Sequence, residues 1–182
     1  MPTLRVLVPL APGFEEIETV TPIDILRRAG ADVVIASFDG APWVVGRTGI
    51  VIRADRTLDE VTADAFNLVL IPGGPAVAAL RKDARIHGIL QSHHRQQAWI
   101  GAICAAPLVL KDAGVLPADY SAHDSCLEEL PQAQIDTRVV VAGRTITSRG
   151  AGTSLDFALA LVAALFGHAK EDEVRRAILA PY

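Results

Sequence analysis

The sequence has little cysteine: two thiols, Cys104 and Cys126, in 182 residues. They stand well apart, so the closely spaced cysteine pairs of a structural zinc site are missing. In a reducing compartment two such thiols are expected to be free rather than bridged. An excess of positive charge is also missing. Seventeen Lys and Arg stand against 21 Asp and Glu, a formal charge of -4, which leaves no net attraction for phosphate backbones and argues against nucleic acid as a stable partner. Long apolar runs are absent too. The longest, residues 155–166, is interrupted by Asp156 and falls far short of the roughly 20 residues a membrane span needs. The start, Met1-Pro2-Thr3-Leu4-Arg5, lacks the pattern of a secretory leader, so a cytoplasmic protein without membrane contact is expected. Glycine (14) and proline (11) are too few and too scattered for collagen or a linker. No repeat or boundary appears, and one domain over residues 1–182 fits the length.

What is present is ordinary for a globular chain, 51% hydrophobic and 21% charged, enough to offset the entropy of ordering. Short apolar runs rich in β-branched residues mark strands at residues 4–10, 32–38, 67–71 and 99–103. Helical spacing marks residues 16–29, 84–97, 105–113, 153–166 and 170–179, with Gly30 placed as a left-handed stop and Thr153 as an N-cap with Asp156 three residues on. Residues 43–54 around Gly46-Arg47-Thr48-Gly49, and residues 137–147 around Gly143-Arg144, read as hairpins. Buried strands alternating with helices define an α/β three-layer sandwich with a mostly parallel sheet. In such sheets the ligand crevice lies beyond the carboxyl ends of the strands, which directs attention to residues 9–14, 71–74, 103–105 and 148–152.

Cys104 sits at one of those ends, in Ile103-Cys104-Ala105-Ala106-Pro107. A sharp strand-to-helix turn lifts its thiol above the sheet and aims helical N–H groups at the sulfur, which lowers a thiol pKa. Without such a turn, Cys104 is simply a small buried hydrophobe. Glu15 and Glu16 are explained by the dipole of the first helix, whereas Glu18, among Ile17, Thr19 and Val20, is a candidate for burial. A buried Glu18 that keeps its proton donates a hydrogen bond to a Cys104 thiolate, and the two titrate as a pair. Gly73 and Gly74, in Pro72-Gly73-Gly74-Pro75, bring backbone N–H groups close to a ligand and with the N–H of Ala105 form an oxyanion hole; the bland alternative is a tight turn. His123 is a candidate general base or a structural histidine. The adjacent His93 and His94, like His87 and His168, read as surface residues rather than metal ligands. Cys126 reads as non-catalytic. The glycine-rich segment 148–154 lacks the lysine and spacing of a nucleotide loop.

Taken together, Pro12–Thr19 (PGFEEIET), Pro22–Gly30 (PIDILRRAG), Leu70–Gly74 (LIPGG), Ala102–Pro107 (AICAAP) and Thr147–Ala158 (TSRGAGTSLDFA) resemble the ThiJ/PfpI superfamily, in its DJ-one-like branch. The resemblance covers nearly the whole chain in the family's order. It implies a flavodoxin-like sandwich, a homodimer, and a low-pKa cysteine at a strained turn. It carries over Cys104 as nucleophile, Glu18 as its protonated partner, Gly73, Gly74 and Ala105 as backbone donors, and His123 as a histidine found in the animal members. It implies chemistry on methylglyoxal-type dicarbonyls or glycated adducts, of glyoxalase III or deglycase type, with no metal or organic cofactor. An oxidative-stress sensor or chaperone signalled by Cys104 is the alternative. An amidase or peptidase is disfavoured, because Ala105 stands where the protease-like branch has histidine. The chain also ends at Ala180-Pro181-Tyr182, where animal members continue into a helical tail.

Overall fold

The structure, a computed structural model, describes residues 3–181; Met1, Pro2 and Tyr182, which bear on the expectations about leader and tail, lie outside the described residues. The first strand, β1 (Arg5–Leu10, RVLVPL), is buried along five of its six residues. That suits a strand covered on both faces. Helix α1 (Glu16–Ala29) follows. The Glu15 carboxylate caps it by accepting the N–H of Glu18 at 2.8 Å, and Gly30, at φ 99°, closes its carboxyl end in the left-handed region.

Strand β2 (Asp32–Ser37) pairs parallel with β1. The expected excursion is an antiparallel ribbon of β3 (Trp43–Val45) and β4 (Val51–Arg53), separate from the main sheet. It is tied to the turn between β1 and α1: the Gly13 N–H donates to the Val45 carbonyl at 2.8 Å, and the Arg47 N–H to the Phe14 carbonyl at 2.9 Å. Three short elements escape the periodicity because each is four residues or fewer: β5 (Arg56–Thr57), α2 (Leu58–Val61) and, after β6 (Leu68–Ile71), α3 (Val77–Leu80).

The second half runs α4 (Ala84–Gln96), β7 (Trp99–Ile103), α5 (Pro107–Asp112), β8 (Val139–Ala142), β9 (Thr145–Ser148), α6 (Ser154–Phe166) and α7 (His168–Ala177). The seven-stranded sheet has the order β5-β2-β1-β6-β7-β9-β8, with β8 antiparallel to β9 and the other pairs parallel. The chain moves outward from β1 to β2 and returns to β6 on the other flank. The crevice beyond β1 and β6 is therefore the switch point where α/β sheets place ligands.

Two local expectations are corrected. Thr153 does not cap α6 with its side chain. Its hydroxyl turns back to the Gly150 carbonyl at 2.8 Å and to Ser148 Oγ at 2.6 Å, closing a 3-10 turn, while Asp156 pairs with Arg138. His93 is not a surface residue: it is 7% exposed, with Nδ1 at 3.0 Å from the Ile89 carbonyl.

Candidate active site

Four parallel strand ends bring the site together. β7 stops at Ile103, and Cys104 takes φ 64°. A non-glycine residue held there costs about 1–3 kcal/mol, so the surroundings must fix it. They do so from both sides: the Cys104 N–H donates to the Ser148 carbonyl at the end of β9 (2.9 Å), and the His123 N–H donates to the Cys104 carbonyl (3.0 Å). Pro107, whose missing N–H costs nothing in a first turn, opens α5.

Glu18 reaches the same point from the first turn of α1 and is 1% exposed. Its carboxyl is hydrogen-bonded to the Cys104 thiol, and Oε2 accepts the Gly73 N–H at 3.0 Å. Only glycine fits at 73. A Cβ there would lie 2.5 Å from Glu18 Oε2 and 2.7 Å from Cys104 Cβ. The neighbouring Gly74, at φ 90°, packs as tightly, its Cβ position lying 2.6 Å from the Gly13 carbonyl oxygen.

The expected trio of backbone donors is thereby divided. Gly74 and Ala105 direct their N–H groups at the Cys104 sulfur. The Gly73 N–H is instead donated to the Glu18 carboxyl, which it positions.

The electrostatics also depart from expectation. Burial, reinforced by the Glu15 charge, raises Glu18 to about 7, against the opposing pull of the Cys104 thiol, the Gly73 N–H and the Arg47 charge. Burial raises the Cys104 thiol to about 12; the charge and hydrogen bond of Glu18 add to this, while the Ala105 and Gly74 N–H groups oppose it. As long as Glu18 is ionised, the sulfur keeps its proton. Between those two values the pair holds one proton, on the sulfur. Moving it to Glu18 turns repulsion into a hydrogen bond from the carboxylic acid to a thiolate.

His123 lies next to this pair rather than within it. Its Nδ1 is surrounded by Ser125 Oγ at 2.8 Å, the Ser125 N–H at 3.2 Å and Asp124 Oδ1 at 3.0 Å. The ring borders a cavity of about 420 Å³ shared with Arg149 and Gly150. A methyl group on Gly150 would sit 3.4 Å from His123 Cδ2 and 3.6 Å from Glu18 Oε1, so Gly150, in the wall of this cavity, separates it from the Glu18 carboxyl. A second cavity, of about 300 Å³ around Phe66 and His93, opens at the amino ends of the strands, away from Cys104. Cys126 is buried in the 3-10 turn after His123. Among the described residues no cluster of His, Cys, Asp and Glu could hold a metal.

Two contributions had no simple sequence signal. Glu16, assigned to the helix dipole, is 5% exposed and grips the β3–β4 turn, accepting the Thr48 N–H at 2.7 Å and its hydroxyl at 2.6 Å. Burial works against its charge, but these two bonds hold the carboxyl below its ordinary range. The helical stripe it shares with Thr19, Ile23 and Leu26, all buried, could have shown that it faces inward. Arg149 and Gly150 belong to the glycine-rich segment 148–154, which has the form of an anion cradle without the lysine and spacing of a nucleotide loop.

Residues 4–164 match the model of the DJ-1/PfpI family. The chain is 36% identical over 181 residues to the protein dj-1beta of Drosophila melanogaster, covering 97% of each. It is 38% identical to the protein DJ-1 homolog B of Arabidopsis thaliana, covering 97% of this chain and 41% of that protein. The chain thus spans less than half the length of this plant relative. It is 32% identical to the glutathione-independent glyoxalase DJR-1.2 of Caenorhabditis elegans, covering 88% of this chain and 87% of that protein. The crystal structure of Drosophila melanogaster DJ-1beta superposes with a TM-score of 0.96 at 35% identity over the full length of both chains. A mostly parallel α/β sandwich with a cysteine at a strained strand end, matched over this length, defines the class. The chain belongs to the DJ-1/PfpI family.

Proposed function

We propose that the protein is a cofactor-independent cysteine enzyme for reactive dicarbonyls such as methylglyoxal, converting them to hydroxy acids or removing their early adducts. The observation that carries this reading is the buried Glu18 carboxyl bonded to the half-buried Cys104 thiol, with the Gly74 and Ala105 N–H groups directed at the sulfur. The name of the nematode relative, a glutathione-independent glyoxalase, supports it.

The sequence of steps begins when the thiol proton passes to Glu18 and the thiolate adds to the aldehyde carbon. The resulting oxyanion, lying against the Gly74 and Ala105 N–H groups, takes that proton and gives a hemithioacetal. Glu18, or His123 across Gly150, then removes the proton from the former aldehyde carbon and returns it to the adjacent carbon, while the hydroxyl proton passes between the two oxygens. The first carbon is oxidised to a thioester as the second is reduced to an alcohol, so no external oxidant is consumed. Water releases the hydroxy acid and restores the thiol. Lactate formation from methylglyoxal tests this: Cys104→Ser should abolish it, and unchanged turnover would exclude the mechanism.

A second reading is a stress sensor or chaperone switched by oxidation of Cys104. Its support is that Cys104 is half-buried, and so reachable by peroxide, whereas Cys126 is buried. After mild peroxide, mass spectrometry should find two added oxygens on Cys104 alone; equal oxidation of Cys126 would remove this reading. An amidase or peptidase is the weakest, since Ala105 cannot serve as a base. We also propose a cytoplasmic homodimer. The exposed apolar side chains Ile17 and Val20 of α1 and Trp43, Val45, Ile50 and Val51 of the ribbon support the dimer, because the ribbon is fastened to the start of that helix.

A further inference from the structure

Arg149 leaves the end of β9 and opens the loop that carries Gly150 to the Glu18 carboxyl. Five arginines of the described residues are half-buried: Arg5, Arg81, Arg85, Arg149 and Arg175. Arg5 pairs with Asp32 and Asp64, Arg81 with Asp112 and Glu129, Arg85 with Asp59 and Asp83, and Arg175 with Glu171. Arg149 is the exception, with no ion pair or hydrogen bond from its side chain among the described residues. Its side chain lies in the wall of the cavity shared by His123 and Gly150, with no opposite charge paired to it among the described residues.

The other charges of that cavity are already engaged. Arg138 pairs with Asp156 and donates to the Gly152 carbonyl at 2.9 Å, and Asp124 lies 3.0 Å from the His123 ring. Among the residues lining this cavity, Arg149 is therefore the cation left to meet an incoming molecule. Its planar fork of donors matches a carboxylate with two parallel hydrogen bonds. The cavity, about 420 Å³, has room for a short carbon chain beside that fork, and its Gly150 wall adjoins the Glu18 carboxyl that faces the sulfur.

We infer that Arg149 is a specificity-determining residue that selects dicarbonyls carrying a carboxylate a few bonds from the reacting aldehyde, over neutral ones. This rests on the proposed dicarbonyl chemistry for its substrate. The anion selection itself can be read without that chemistry.

Two measurements on the full chain separate the claims. In the first, kcat/KM is compared for methylglyoxal and for 4,5-dioxopentanoate, which carries the same ketoaldehyde and a carboxylate. The anionic substrate should be favoured by at least about fivefold through KM, as a charge-assisted contact implies. Arg149→Gln should remove that preference, Arg149→Lys should keep part of it, and added salt should shrink it. In the second, alkylation of Cys104 is followed by peptide mass spectrometry with iodoacetate and with iodoacetamide, the thiolate displacing iodide in both. The ratio of anionic to neutral rates should fall by at least about fivefold in Arg149→Gln. A ratio that does not change overturns the inference, even if methylglyoxal is consumed. A ratio that depends on Arg149 while neither dicarbonyl is consumed upholds the anion selection and rejects the dicarbonyl reading.

Discussion

The Gly73 amide donates to Glu18 Oε2 at 3.0 Å, which aligns the carboxyl for its hydrogen bond to the Cys104 thiol. Glu18 thus acts on the sulfur in two opposite ways, depending on its proton. Ionised, it repels a thiolate; protonated, it donates to one. Glu18→Leu distinguishes which effect dominates at neutral pH. If the carboxylic acid supports the thiolate, Cys104 alkylation by iodoacetamide at pH 7 should slow by about tenfold or more, because only burial remains. Faster alkylation would show that Glu18 acts only as a repelling charge, and the proposed first step would fail.

The same burial predicts a pH-dependent stability. Glu18 rises from its ordinary 4.5 to about 7, so the folded state binds its proton more tightly than the unfolded chain. That contribution is full below about 4.5 and is lost as pH climbs through about 7. A shift of this size corresponds to about 3 kcal/mol. Glu18→Gln, which keeps an acceptor for the Gly73 N–H, should leave stability near that of the native chain at pH 4 and raise it increasingly up to pH 8. Urea unfolding at several pH values checks this. A constant difference across the range would show that Glu18 does not titrate as described.

Gly73→Ala should be costly for a steric reason. The added methyl would lie 2.5 Å from Glu18 Oε2 and 3.1 Å from Cys104 Sγ, so both catalytic candidates must move. A loss of about 2 kcal/mol is expected from such overpacking, together with loss of methylglyoxal turnover. Full activity in a stable variant would mean that the Glu18–Cys104 contact is dispensable.

The dimer proposal is tested on the exposed apolar surface. Val20→Asp and Val51→Asp each place a charge on side chains that are about half exposed, 46% and 51%. In sedimentation velocity the native chain should run as a dimer and each variant as a monomer, with its fold kept by circular dichroism. A monomeric native chain would remove the proposal.

Much of this architecture was readable in the residues. α1 and β7 begin and end where their patterns place them, Glu16–Ala29 and Trp99–Ile103, because long buried runs and a glycine stop are local signals. The strand-end rule led to Cys104, and a place among Ile17, Thr19 and Val20 led to Glu18. The role of the Gly73 N–H was not readable, since it depends on Glu18 reaching it from a helix 55 positions earlier in the chain. Thr153 was misassigned for a similar reason: its hydroxyl has a competing partner in Ser148, which wins over the helix end. Arg149 lies within the matched stretch Thr147–Ala158, but nothing in that stretch says its charge is unpaired. Its isolation becomes visible only once the partners of the other half-buried arginines are known.

The left-handed turn at Cys104 has a consequence for biosynthesis. Its N–H is pinned by the Ser148 carbonyl and its own carbonyl by the His123 N–H, both supplied by residues that emerge from the ribosome after it. A nascent or truncated chain that ends before β9 therefore lacks the Ser148 hold on the Cys104 N–H and retains only the His123 partner. The strained conformation at this sulfur is complete only when the last parallel strand has been translated and has docked.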